Sequence, residues 1–155
     1  MSKPTKSPKQ IISLAEMSTW QSGLTQMAVH RVIRRYCDDF LQQYGLTTMQ
    51  WLIIGTIYDA GDKGIRVTEL AEKAGTTLSY MTTTLNKLED MRIICRIDLP
   101  SDNRSRAMIV CDHFRSTCIE IEEGIRDVLR QHIYSRLTRP ELEAYIKTLQ
   151  ILADD

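Results

Sequence analysis

Val67 to Asp90 reads VTELAEKAGTTLSYMTTTLNKLED, and Ile93 to Val110 reads IICRIDLPSDNRSRAMIV. In the first stretch Thr68 is placed to cap a short helix that holds Leu70 and Ala71 and stops near Gly75. Thr77 then caps a second helix reaching about Asp90, whose Met81, Leu85 and Leu88 fall on one face. Two short helices joined at a glycine-bearing turn make a helix-turn-helix. The second stretch holds two β-prone runs, Ile93–Leu99 and Arg106–Val110. They flank Pro100-Ser101-Asp102-Asn103-Arg104-Ser105, and a hairpin with this polar, arginine-bearing tip reads as a wing. The pair of stretches predicts a mainly α fold with a small β-hairpin wing.

Upstream, Ile65-Arg66-Val67 is a short β-prone piece after the turn at residues 60–64. Before that turn, Thr47 with Gln50 fits a capping box and Leu46 with Trp51 fits a hydrophobic staple. A helix therefore runs from about Thr48 to Asp59, buried through Trp51, Ile54 and Tyr58. From Ile11 to about Tyr44, Leu14, Met17, Trp20, Leu24, Met27, Val32, Tyr36 and Phe40 recur at helical steps, predicting one long amphipathic helix. Gly23 is its point of interruption, and Gly45 stands where a C-terminal glycine belongs. Residues 1–9, with two prolines and no apolar periodicity, read as a flexible arm. Downstream, residues 115–137 put Ile121, Ile125, Val128, Leu129 and Ile133 in helical register. Thr138 with Glu141 repeats the capping box, and a last helix over 139–152 is expected to bury Leu142, Tyr145, Ile146, Leu149 and Leu152. The chain divides into the arm 1–9 and a single domain 10–152, in which helices over 10–44 and 112–152 flank a winged helix over 47–111. The terminal helices carry more apolar surface than so small a domain covers, so residues 10–30 and 115–152 are expected to pack against a second copy of the chain.

The 155 residues suit one compact domain. No apolar run approaches the ~20 residues that span a bilayer. The start, with Lys3, Lys6 and Lys9, lacks the apolar stretch of a secretion signal, which predicts a cytoplasmic protein without a membrane role. Cys37, Cys95, Cys111 and Cys118 are scattered, with no C-x-x-C pair and no clustered histidines, so neither a metal site nor a disulfide framework is suggested and buried free thiols are expected. Cys95, on a predicted strand, has no sequence neighbour that would activate it. No G-x-S-x-G, P-loop or H-E-x-x-H motif occurs, and no enzymatic activity or cofactor is expected. Formal charge is zero. Its distribution is uneven: residues 1–9 carry +3, residues 47–111 hold eight groups of each sign, and residues 112–155 hold six basic and nine acidic groups, hence −3. A nucleic-acid ligand would require the basic groups of the middle segment to be sorted onto one face.

The order of elements resembles the MarR family of bacterial transcription regulators over residues 10–152. Gly45-Leu46-Thr47 with Gln50 is similar to the segment that opens the second helix of that family, Val67-Thr68-Glu69-Leu70-Ala71 and Leu88-Glu89 match its helix-turn-helix, and Asp102-x-Arg104-Ser105 matches its wing. Two positions depart from the pattern. Arg92 replaces the glycine that follows the recognition helix, where glycine adopts a left-handed turn without steric cost. After the wing, Val110-Cys111-Asp112-His113-Phe114 replaces a threonine-capped segment, with Asp112 available as a cap. The resemblance implies a DNA-binding regulator, most simply a repressor, acting as a homodimer on a pseudo-palindromic double-stranded site, with residues 65–111 as the reading part.

With Met81, Leu85 and Leu88 facing inward, the residues left to meet the major groove are Leu78, Ser79, Tyr80, Thr82, Thr83, Asn86 and Lys87. Arg104 at the wing tip is the guanidinium best placed for a narrow minor groove, steadied by Asp102, and Arg96, Arg106 and Lys87 are candidate phosphate contacts. The resemblance further implies a small aromatic or phenolic effector held between the dimer helices and the reading head, for which Trp20, His30, Arg34, Trp51 and Tyr58 are the candidate lining. The competing reading is a winged helix that binds protein and little DNA, in keeping with zero net charge and the replaced glycine.

Overall fold

The Thr47 and Thr77 hydroxyls each accept a hydrogen bond from an amide three residues on, Gln50 at 3.3 Å and Tyr80 at 3.2 Å, and a helix starts after each. The structure, a computed structural model, describes residues 11–13, 15–99 and 102–154, with the backbone alone at 102–105. The expected arm 1–9 lies outside the described residues. In chain order the elements are α1 (Thr19–Leu41), α2 (Thr48–Asp59), β1 (Ile65–Arg66), α3 (Val67–Lys73), α4 (Leu78–Asp90), β2 (Ile94–Leu99), β3 (Asp102–Val110), α5 (Arg115–His132) and α6 (Arg139–Ala153). The fold is mainly helical with a three-stranded antiparallel sheet, ordered β1-β3-β2.

One apolar core joins the C-terminal end of α1 to α2, α3, α4, the sheet and α5. Leu41, Ile54, Leu70, Met81, Leu85, Leu88, Ile94, Met108 and Ile121 are all but sealed from solvent. Each such side chain contributes roughly 1.5–3 kcal/mol through burial, so the winged helix is held by its own chain. Trp51 and Ile54 are buried as expected, whereas Tyr58 is half-buried and Ile53 and Ile57 complete the α2 face. Gly124 on α5 faces the Phe40 ring of α1 so closely that a Cβ there would overlap the ring.

Several boundaries differ from the sequence expectation, each for a local reason. α1 begins at Thr19 rather than Ile11, because Ser18 and Gln21 form a capping box: Gln21 Oε1 accepts the Ser18 amide at 2.9 Å. Gly23 does not interrupt it. α3 begins at Val67 with Arg66 before it, and Thr68 is exposed inside the helix instead of capping it. The strand fixes that start, since Ile65 pairs with Met108 and Arg66 with Ala107. β3 begins at Asp102, earlier than expected, because the ladder jumps from Asp98↔Arg106 to Leu99↔Asp102 and leaves Asn103, Arg104 and Ser105 as extra residues within the strand. α5 stops at His132, and a 3-10 turn over Tyr134–Arg136 separates it from α6. On α6 the expected burial is absent: Leu142 and Tyr145 are half-buried, and Ile146, Leu149 and Leu152 are exposed. Gly45 closes the first helical unit at φ 68°, and Arg92 follows α4 at φ 59°, taking up the left-handed turn itself.

The cysteines also need correcting. Cys37 and Cys118 are free and buried as expected, but Cys95 and Cys111 are disulfide-bonded, their Cα atoms 5.6 Å apart. Cys95 lies opposite Ile109, and Cys111 stands two residues further along the same face. That proximity belongs to the hairpin register and is invisible in a separation of 16 residues.

Candidate nucleic-acid interface

Inward, α4 buries Thr84 as well as Met81, Leu85 and Leu88. Outward, Leu78, Ser79, Tyr80, Thr82, Thr83, Asn86 and Lys87 are all exposed, so the seven sequence candidates share the solvent side of one helix. Thr83 Oγ1 donates to the Ser79 carbonyl at 3.1 Å, which occupies its hydroxyl hydrogen on its own helix and leaves lone pairs and a methyl group for an outside partner. The surface is broad, hydroxyl-rich and nearly uncharged.

The wing is braced against this helix. Arg96 on β2 turns back onto α4, with Nε 2.9 Å from Glu89 Oε2 and a terminal nitrogen donating to Asn86 Oδ1. Its guanidinium is partly shielded and engaged in two directed bonds, so it acts as a strut between α4 and the β2–β3 hairpin. Asn86, its oxygen occupied, keeps its amide hydrogens for a partner. Arg106 lies across the ladder from Asp98 at 3.6 Å with both groups largely in solvent, a pair weak enough to be exchanged for a phosphate. Asp102 and Arg104 belong to the first residues of β3, and their side chains lie outside the described residues.

Two cavities lie where α2 meets α5, one of them reaching α1 and α6 as well. His30, Arg34 and Trp51 line the first, of about 590 Å³, together with Cys37, Ile125 and Leu129. Trp51 and Tyr58 line the second, of about 610 Å³, with Cys118, Glu122 and Arg126. Both volumes fall in the range that holds small organic ligands. Trp20 lines neither and stands 72% exposed in the first turn of α1. The five candidates are therefore split between two sites joined at Trp51, with one outside both. Burial pushes the Cys118 thiol up to about 11 despite the opposing charge of Arg115, and burial, aided by Asp38, also raises that of Cys37, so both thiols face their cavities uncharged.

Two connections were not anticipated. Asp38 on α1 accepts both the Thr48 amide at 2.8 Å and the Thr48 hydroxyl at 2.7 Å, holding the start of α2, and Arg34 approaches the same carboxylate at 3.4 Å. Burial opposes ionisation there, but the Thr48 bonds and the Arg34 charge outweigh it and hold the carboxyl below its ordinary value. Arg115 at the start of α5 reaches Asp62 at 2.8 Å and lies over the Tyr58 ring at 5.8 Å, tying α5 to the turn before β1. The four-residue spacing of Arg34 and Asp38 was a usable signal; the distance along the chain from Asp62 to Arg115 left none.

Comparison with known proteins places this architecture. Residues 46–105, from the start of α2 to the wing, match the model of the MarR family. Over that stretch the winged helix is of the MarR type. The fold of the chain is shared by AbsC, a MarR family transcriptional regulator from Streptomyces coelicolor, at 20% identity and a TM-score of 0.74, covering 94% of this chain and 96% of that one. Sco3205 from the same organism, solved in complex with DNA, matches at 23% identity and TM-score 0.74 over 93% of this chain and 92% of its own. The Mycobacterium tuberculosis MarR family protein Rv2887, solved with salicylic acid, matches at 26% identity and TM-score 0.68 over 90% of this chain and 99% of its own. Among the described residues no helix is long and apolar enough to cross a membrane.

Proposed function

We propose that this MarR-family regulator binds a pseudo-palindromic operator as a homodimer in the cytoplasm, represses transcription from it, and is not an enzyme. The observation that carries the reading is the exposed, hydroxyl-rich face of α4 with the wing strutted beside it through Arg96. Hydroxyls, the Asn86 amide and threonine methyls are suited to base edges and phosphates in a major groove, and the wing to the neighbouring minor groove. The uncharged helix leaves much of the affinity to dimeric placement, to Arg104 and to DNA shape. The DNA complex of Sco3205 supports the assignment by likeness of fold.

The dimer reading rests on apolar surface left open at both ends of the chain, including Trp20, Leu24 and Met27 on α1 and Ile146, Leu149 and Leu152 on α6. For the effector we propose a small aromatic carboxylate in the first cavity, its ring against Trp51 and its charge toward Arg34. The salicylic acid complex of Rv2887 lends this support.

Titration of labelled fragments of the source genome at two salt concentrations tests the main reading. Salt-sensitive, fragment-selective binding is expected, weakened markedly by Arg104→Ala in a protein that stays folded. Lys87→Ala should lower the slope of binding against salt by about one counterion. Absence of salt-sensitive binding would favour the protein-binding alternative.

A further inference from the structure

We propose that Cys95 and Cys111 form a reversible redox site at the base of the wing, whose disulfide holds the wing in DNA-reading position and whose reduction loosens it. The proposal rests on the DNA-binding reading above. Both residues lie on one face of the β2–β3 hairpin, the face opposite to Ile94, Met108 and Val110 of the core. Ile97 and Ile109 on that outer face are half-buried, and so is Cys95, whereas Cys111 is 7% exposed. A small reagent thus reaches Cys95 without opening the core.

The bond closes a loop that contains the whole wing, residues 96–110. Its two anchors are informative. Cys95 precedes Arg96, the strut to Glu89 and Asn86 on α4, and Cys111 precedes the turn Asp112–Phe114 that leads into α5. Cys111 is also tied to the core end of the hairpin, its amide donating to the Ile93 carbonyl at 3.0 Å. The disulfide therefore joins the strand that carries the strut to the stem from which the wing leaves the core. A protein that reads chromosomal DNA works where thiols are kept reduced, and a disulfide formed there is characteristically a transient, redox-responsive one.

A low-molecular-weight disulfide is the chemical class of oxidant. The Cys95 thiolate attacks one of its sulfurs and expels one thiolate, forming a mixed disulfide. The Cys111 thiolate then attacks the Cys95 sulfur and expels the second. One S–S bond breaks and one forms; the two protein thiols lose two protons and two electrons, and the small disulfide is reduced to two thiols. A dithiol reverses the sequence.

The test uses the full chain, oxidised with glutathione disulfide or reduced with dithiothreitol, with the state of the pair read by mass after thiol alkylation. Reduction is expected to weaken operator binding about tenfold, because the wing must then be ordered on binding, and to speed hydrogen exchange of the β2 and β3 amides while helix content stays constant. Cys95→Ser and Cys111→Ser should each bind as the reduced protein does in both conditions; if either fails to fold, reduced wild-type protein supplies the same comparison. Equal affinity and equal wing exchange in the two verified states would overturn the proposal, as would failure of the pair to oxidise. No DNA binding in either state, with wing exchange still redox-dependent, would instead overturn the operator reading and leave the switch standing.

Discussion

Met81, Leu85 and Leu88 on α4 and Leu142, Ile146, Leu149 and Leu152 on α6 follow the same helical spacing, yet the first set is sealed and the second stands largely open. On α4 the stripe packs on α3 and β2 within the one core of its own chain. On α6 it meets little, and two of the charged residues in its first turn are spent locally, Glu141 on the Thr138 amide at 2.7 Å and Arg139 on Glu143 at 2.9 Å. A periodic apolar stripe records that a helix face is meant to be covered; it does not record by which chain. The winged helix, with α5 and the end of α1, is a finished core, whereas α6 leaves its apolar stripe open.

The comparison breaks most visibly in stability. Leu85→Ala should destabilise the protein by about 2–5 kcal/mol, the cost of a cavity in a closed core, with a matching fall in urea midpoint. Gly124→Ala tests where the finished core ends, since its new methyl would collide with the Phe40 ring at the α1–α5 contact. A loss of about 1–3 kcal/mol is expected there from overpacking; unchanged stability would show that this contact gives way as freely as the exposed face of α6. Leu149→Glu is the converse probe. Circular dichroism should show an unaltered fold, a change within about 0.5 kcal/mol for an exposed site, while light scattering shows the mass halved from dimer to monomer. Retention of the dimer would remove α6 from the interface.

Most of the helical framework was legible in the sequence because helices announce themselves locally. The α2 and α4 boundaries followed from Thr47, Gln50 and Thr77, whereas the left-handed turn after α4 is made by Arg92, the residue that replaces the glycine suited to it. Local signals also misled: the apolar spacing before Ser18 continued a pattern that the cap had ended, and Thr68 resembled a cap at a position already fixed by β1 pairing. What the sequence concealed was non-local. The Cys95–Cys111 bond depends on strand register, Arg115–Asp62 joins distant segments, and the strut role of Arg96 requires knowing that β2 folds back over α4. The exposed face of α4 was readable residue by residue, while the grouping of His30, Arg34 and Trp51 apart from Trp20 depended on how α1 crosses α2 and α5.

The junction between the two regions offers a smaller effect than either core substitution. Asp38 sits on α1, where the terminal helices begin, and holds the first amide of α2, where the reading head begins. Asp38→Ala should cost ~1 kcal/mol at neutral pH, as loss of a capping carboxylate does. Because the folded carboxyl titrates below its ordinary value of 3.8, the tie contributes fully above that value and is lost as pH falls through the folded one. The stability gap between wild type and Asp38→Ala, measured by urea unfolding, should therefore be constant from pH 8 to pH 5 and narrow below about 3.8. A gap that persists undiminished into acid would mean that the Asp38 side chain acts through packing rather than charge.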